Sequence, residues 1–169
     1  MDRDHNHEIY SMTRDGGDVR RVTHLPDWDT YPAVSPDGQW AVVPVTSWDV
    51  KEDKALTDLW LLKTDGSESR ALTSHEGSET SPAWSPDGKW IAFEAKREGD
   101  ENGQIYLLPM VGGEARRLTR VPTGASAPKW FADSRRLAFI SRVWPDLASW
   151  DEQARRQKER KDSKMTART

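Results

Sequence analysis

The chain has 169 residues, 31% of them charged, with a net charge of −3, which supplies neither a basic field for nucleic acid nor a long acidic tail. It contains no cysteine, which excludes disulfides and thiolate metal sites. Its apolar runs, such as Leu59-Trp60-Leu61-Leu62, are strand-sized and far short of a membrane span. Residues 1–7 lack the apolar segment of a secretion signal, which points to the cytoplasm.

In chain order, the first extended segments are 8–12 and 19–23, joined through Asp15-Gly16-Gly17. Next come 31–34 and 40–45, separated by Ser35-Pro36-Asp37-Gly38. In that turn Pro fixes φ, Asp accepts local N–H bonds and Gly takes the left-handed backbone. Segments 58–62 and 69–73 follow, joined through Asp65-Gly66-Ser67. The same four elements then recur at 82–84, 90–95, 104–108 and 115–119, and the first two again at 128–130 and 137–141. The recurrence is residue for residue: Ser35-Pro36-Asp37-Gly38 returns as Ser85-Pro86-Asp87-Gly88, and Leu72-Thr73 as Leu118-Thr119. Only the connection 46–57 differs, being longer than its counterpart 96–103, and it reads as a surface loop.

Four short β-rich segments per unit of 46 to 50 residues describe a β-propeller blade. The Pro-Asp-Gly punctuation excludes a helical repeat. The fold class is therefore all-β: a partial β-propeller of four-stranded antiparallel blades over 1–145, followed by a charged helical extension or insertion over 146–169. Within the propeller, 8–23 is a half blade, 31–73 and 74–119 are full blades, and 127–142 is a second half blade. Such an arc has open flanks, so the chain reads as part of a larger wheel or one component of an assembly, and its exposed Trp, Leu and Phe predict self-association.

The helix is expected over 149–168. Ser149-Trp150-Asp151-Glu152 forms a capping box, with Ser at the cap and Glu three residues on. Seven Lys and Arg against four acids follow the cap, and Ala154 and Met165 are almost the only apolar residues, so no core-facing stripe exists. This segment reads as a solvated arm, or as one that meets an acidic partner or a further domain of the same protein. No aromatic is interleaved with its charges to stack a base, which argues against RNA.

Candidate chemistry is sparse. No Gly-x-Ser-x-Gly elbow occurs; Gly124-Ala125-Ser126-Ala127-Pro128 comes nearest and lacks the second glycine. No catalytic, cofactor-binding or metal-binding residue is therefore assigned. His5 and His7, with Asp2, Asp4 and Glu8, have metal-ligating side chains but read as a frayed end. His24 and His75 follow related strands and suit turn packing. Asp37 and Asp87 serve their turns. Asp100-Glu101-Asn102-Gly103 lacks calcium-loop spacing and reads as a solvated hairpin tip. Trp84 and Trp130 share one repeat position, and Trp40 and Trp90 another, which indicates packing between blades. Trp28, Trp48 and Trp144 lie outside the repeat and are the better candidates for exposed contacts.

The motif Ser81-Pro82-Ala83-Trp84-Ser85-Pro86-Asp87-Gly88-Lys89-Trp90-Ile91-Ala92-Phe93, then Ile105-Tyr106-Leu107 and Gly112-Gly113-Glu114-Ala115-Arg116-Arg117-Leu118-Thr119, resembles the TolB-type repeat. That repeat occurs in TolB and in the propellers of prolyl-oligopeptidase-family (S9) serine peptidases. Arg135-Arg136-Leu137-Ala138-Phe139-Ile140-Ser141-Arg142-Val143-Trp144-Pro145-Asp146, running into the charged segment, is similar to the acylaminoacyl-peptidase-like branch. The resemblance implies a propeller that filters short peptides on their way to an α/β-hydrolase domain, which this chain does not include. Its partners would be that domain or the remaining blades. The alternative is a TolB-like protein-interaction module. One departure is Phe131-Ala132-Asp133-Ser134, which replaces the Ser-Pro-Asp-Gly turn.

Overall fold

The structure is a computed structural model that describes residues 7–24, 27–49 and 53–166, without the side chains of Trp28 and 164–166. Its elements are β1 (Tyr10–Ser11), β2 (Arg20–Arg21), β3 (Trp28–Asp29), β4 (Ala33–Val34), β5 (Trp40–Asp49), β6 (Lys54–Lys63), β7 (Ser69–Ala71), β8 (Glu79–Trp84), β9 (Trp90–Ala95), β10 (Gln104–Pro109), β11 (Arg116–Arg117), β12 (Ser126–Trp130), β13 (Leu137–Ile140) and α1 (Trp150–Thr166). The strands form four antiparallel sheets. Two are complete blades, β8-β9-β10-β11 and a sheet in which β3 and β4 together take the inner position beside β5, β6 and β7. The other two are strand pairs, β1-β2 and β12-β13. Among the described residues no contact joins the first pair to the last, so the sheets form an open arc.

Each repeated motif closes one part of a blade. The Leu-Thr dipeptide clamps the outer strand to the third. Ile9, Leu59 and Ile105 donate their backbone N–H groups to the hydroxyls of Thr23, Thr73 and Thr119 at 2.8 to 2.9 Å. The carbonyls of the same three residues accept from Val22, Leu72 and Leu118. In the Ser-Pro-Asp-Gly turns the Ser35 hydroxyl donates to Asp37 at 2.6 Å and accepts from the Trp40 N–H, and Ser85, Asp87 and Trp90 repeat this arrangement. Gly38 and Gly88 take φ near +70°, as the turn requires. In the third copy Ser134 takes that conformation, and its hydroxyl accepts the Asp87 N–H, tying adjacent turns together.

The core lies between blades. Successive residues of a strand face opposite sides, so Val42, Leu59 and Leu61 meet Ile91, Phe93 and Tyr106 across one junction. Ala92, Ile105 and Leu107 meet Trp130 and Leu137 across the next. Two indoles pin these junctions: Trp84 donates from Nε1 to the Ala33 carbonyl at 2.9 Å, and Trp130 to the Ala83 carbonyl at 3.0 Å. Ala33 and Ala83 occupy one repeat position, so the two bonds are the same bond made twice.

Two expectations are corrected. Residues 46–57 are not a surface loop: Thr46 pairs with Thr57 and Trp48 with Ala55, so the extra length extends the hairpin. Thr46, Trp48 and Thr57 are residue types that suit a strand. Asp100-Glu101-Asn102-Gly103 is not a solvated tip, because the Asp100 side chain is buried and bonded to Tyr106 and Arg117.

Buried acids head both complete inner strands. Glu79 is fully buried and paired with Arg97 at 2.5 Å. At the same repeat position Asp29 is also buried, and its carboxylate oxygens have no hydrogen-bond partner among the described residues. Ser47 stands where the repeat would place an arginine. Burial foremost, with the charges of Glu8 and Asp27 adding, pushes the Asp29 pKa up to about 6 against the influence of Thr23. The folded state thus holds this proton more tightly than the unfolded chain. The resulting stability is present near pH 4 and is lost as pH rises through 6.

Two predictions follow from this packing. Trp84→Phe removes the indole donor that reaches the Ala33 carbonyl and should lower stability by about 1 kcal/mol, read from the urea midpoint; an unchanged midpoint would contradict the clasp. Asp29→Asn should raise stability at pH 7.5 by on the order of 2 kcal/mol, with the gain fading toward pH 4. Melting curves at both pH values check this, and an equal gain at each would refute the assignment.

Candidate interaction site on the inner strands

The edge strands facing the hollow of the arc share an uncommon local structure. Tyr31, Ser81 and Ala127, one repeat position, all take left-handed φ of 47°, 53° and 49°, and each precedes a proline. Left-handed φ is costly for a non-glycine residue, so its recurrence in three copies marks a built feature. The ladders register it as a bulge, with β8 shifting against β9 between Thr80 and Ala83, and β12 against β13 between Ser126 and Lys129. In the first complete blade the same kink divides the inner strand into β3 and β4. Pro32, Pro82 and Pro128 then remove a backbone donor from the free inner edge, which discourages another strand from pairing there.

These three segments line one groove of about 690 Å³. Its walls are Pro, Ala, Trp84 and Trp130, with Tyr31 84% exposed at its margin. Ser81 is the one side-chain hydroxyl in the lining besides that of Tyr31, Lys129 is the one charge, and no histidine or carboxylate is present. A surface of this kind can pass or hold an extended chain, but it has no nucleophile with a base to activate it.

A second groove, of about 710 Å³, lies where α1 rests against the rim of the second complete blade. The predicted cap is present: the Glu152 N–H donates to the Ser149 hydroxyl, and the Ser149 N–H to the Glu152 carboxylate at 3.0 Å. Gln153, almost wholly buried, accepts the Trp144 N–H and donates to the Trp144 and Leu147 carbonyls, which fixes the approach to the helix. Lys161 bonds Glu101 at 2.6 Å on the blade. The helix is therefore docked through polar contacts, which an absent apolar stripe does not reveal. Asp100 sits at the base of this groove. Burial would raise its pKa, but hydrogen bonds from Tyr106 and Arg117 outweigh that and hold it below the ordinary value. Burial, followed by the bond to Asp100, pushes the Tyr106 hydroxyl up to about 12.

The remaining candidates have local roles. His5, Asp2 and Asp4 lie outside the described residues, and the His7 carbonyl accepts the Asp29 N–H. No group of three metal-ligating side chains forms among the described residues. His75 Nδ1 accepts the Gly77 N–H, and the His75 backbone N–H donates to the Asp58 carboxylate, as turn packing requires; His24 is exposed. Asp37 and Asp87 are exposed, with pKa values lowered by Ser35 and Ser85 and then by the turn amides. Gly124-Ala125-Ser126 leads into β12, with Gly124 in a turn closed on the Val121 carbonyl. Trp40 and Trp90 carry Lys63 and Arg116 over their rings. Trp48 is exposed on the hairpin, Trp144 anchors Gln153, and Trp28 lies in β3. The bulge went unnoticed in the sequence, although its signal is a residue followed by Pro at 31–32, 81–82 and 127–128.

Comparison with known proteins places this arrangement. The family model of the tricorn protease N-terminal beta propeller domain matches residues 54–156. No curated protein matches the chain in sequence. Among solved structures, a putative TolB from Agrobacterium tumefaciens is 26% identical, with a TM-score of 0.64 over 84% of this chain and 48% of its own. The β-propeller domain of the trilobed protease from Pyrococcus furiosus is 20% identical, with a TM-score of 0.55 over 68% of this chain and 34% of its own. An acylaminoacyl peptidase from Pyrococcus horikoshii is 17% identical, with a TM-score of 0.55 over 73% of this chain and 19% of its own. The chain thus spans about half the length of the TolB it resembles and smaller shares of the two peptidase structures. With most of its length matched, from β6 through the whole β8-β9-β10-β11 blade and β13 into α1, this chain belongs to the tricorn protease N-terminal beta propeller domain family.

Proposed function

We propose that the chain is the substrate-filtering propeller portion of an S9-type serine peptidase, acting with an α/β-hydrolase domain outside these 169 residues. The observation that carries this reading is the match over 54–156, which runs past β13 into α1 and belongs to the propeller of a protease. The peptidase structures named above agree in fold. The inner groove suits the role: its bulged, proline-bearing edges offer few ladder positions, so an extended peptide can move along them without being captured as an added strand. Hydrolysis would occur elsewhere, because the lining has no activated nucleophile.

A second reading, a TolB-like protein-interaction module, is favoured by the 26% identity to the Agrobacterium protein over 84% of the chain. One experiment separates the two. An antibody raised against this chain recovers the native polypeptide from its cells, which is then treated with a fluorophosphonate and offered short and long peptides. The peptidase reading predicts covalent labelling in the recovered complex and hydrolysis that falls steeply with peptide length. An unlabelled polypeptide held in a stoichiometric complex with a non-enzymatic protein would establish the second reading.

A further inference from the structure

We propose that the rim groove between α1 and the second complete blade binds an extended acidic segment of another protein, about four residues long and carrying more than one carboxylate. The site is separate from the inner groove and holds whichever role the inner groove serves.

Both walls of the groove are anchored within the chain. On the blade side, the Asn102 amide donates to the Pro122 carbonyl at 2.6 Å and the Gln104 amide to the Val121 carbonyl at 2.9 Å. These bonds tie the β9-β10 connection to the segment after β11. On the other side, buried Gln153 sets the approach to α1, and Lys161 holds the later half of the helix to Glu101. The helix wall from Ala154 to Asp162 rises about 12 Å, the length of about four extended residues. An elongated cleft of this length suits a chain better than a single ion.

Charge selects the kind of chain. Arg117 and Arg120 stand on the blade wall, and Arg155, Lys158 and Lys161 on the helix wall. Against them are Asp100, Glu101 and Asp162, so the lining carries an excess of two positive charges in a chain whose net charge is −3. Arg117 is engaged by Asp100 and Lys161 by Glu101. Arg120, Arg155 and Lys158 are exposed and make no ion pair among the described residues. Arg155 and Lys158 lie three residues apart on one helix face, about 4.5 Å along the axis, and Arg120 stands on the opposite wall. A concave surface of one sign concentrates the opposite ion. Carboxylates of a bound segment would continue the pattern that Asp100 and Glu101 begin, each acid set against a guanidinium or an ammonium.

The lining favours a peptide over a nucleic acid. It contains no aromatic ring on which a base could stack, and the negative chain as a whole repels a long polyanion. It does contain Gln157, half-buried, whose amide makes no hydrogen bond among the described residues. A primary amide offers both a donor and an acceptor, which an extended peptide backbone can use in turn. The structure thereby changes the expectation of an arm that meets an acidic partner. Two of the five cations come from the blade, so α1 is one wall of a two-sided site.

Fluorescence anisotropy tests this with a short labelled glutamate-rich peptide and the same peptide bearing glutamine at each glutamate. The acidic peptide should bind the chain, less tightly as salt is raised, and the glutamine peptide should bind about tenfold more weakly. Arg120→Glu combined with Lys158→Glu should weaken the acidic peptide by about tenfold without moving the melting midpoint, since both side chains are exposed. Arg155→Gln, a milder change, should weaken it several-fold, whereas Lys129→Glu in the inner groove should leave it unchanged. Equal binding of the glutamine peptide, an effect of Lys129→Glu as large as that of the double variant, displacement by equimolar inorganic phosphate, or an oligothymidylate that binds as tightly would each overturn the proposal. So would an acidic peptide that binds this chain but not the native polypeptide recovered from its cells, because the groove would then be filled from within its own protein.

Discussion

A twisted four-stranded sheet with two apolar faces cannot stand alone in water, and the arrangement of this chain follows from how each sheet covers its neighbour. Val42 and Leu61 on one blade and Ile91 and Phe93 on the next are each about as buried as a side chain can be, though no blade has a core of its own. Apolar burial of this kind is strong but does not choose a register. The indole bonds from Trp84 and Trp130 do, because a carbonyl one repeat earlier must lie within 3.0 Å of the nitrogen. The spacing of the sheets, the course of the inner strands and the groove they line all depend on that constraint.

Much of this was legible in the sequence, because the repeat supplies its own alignment. Ser-Pro-Asp-Gly encodes a turn in which each residue has a separate job, and the strands on either side begin within a few residues of where its spacing puts them. The reading failed where the repeat is broken. Residues 46–57 have no equal in the other copies, so their length suggests a loop, yet a hairpin can lengthen without disturbing the blade. Asp100 looks solvated in the sequence because three polar residues and a glycine resemble a tip, and its partners Tyr106 and Arg117 lie farther along the chain on β10 and β11. Gln153 was invisible for a related reason: it docks the helix approach by hydrogen bonds, and those have no periodic signature.

The inner groove is the part of the molecule from which function is best argued, and it argues mainly by restraint. Three kinked, proline-bearing segments present apolar and backbone surface with one charge, Lys129. The rim groove beside α1 is the reverse, crowded with Arg117, Lys158 and Lys161 and balanced in part by Asp100 and Glu101. An apolar passage and a charged rim thus occur on one chain, and membership of the tricorn protease N-terminal beta propeller domain family gives both surfaces their context.

The central claim is that two equivalent indoles hold successive blades in register, and exchange of the indole protons tests it most directly. In ¹⁵N-labelled protein transferred to D₂O, the Nε1 protons of Trp84 and Trp130 should persist well beyond those of Trp40 and Trp90, which make no indole hydrogen bond among the described residues. Loss of all four signals at one common rate would show that the blades are not joined in this way.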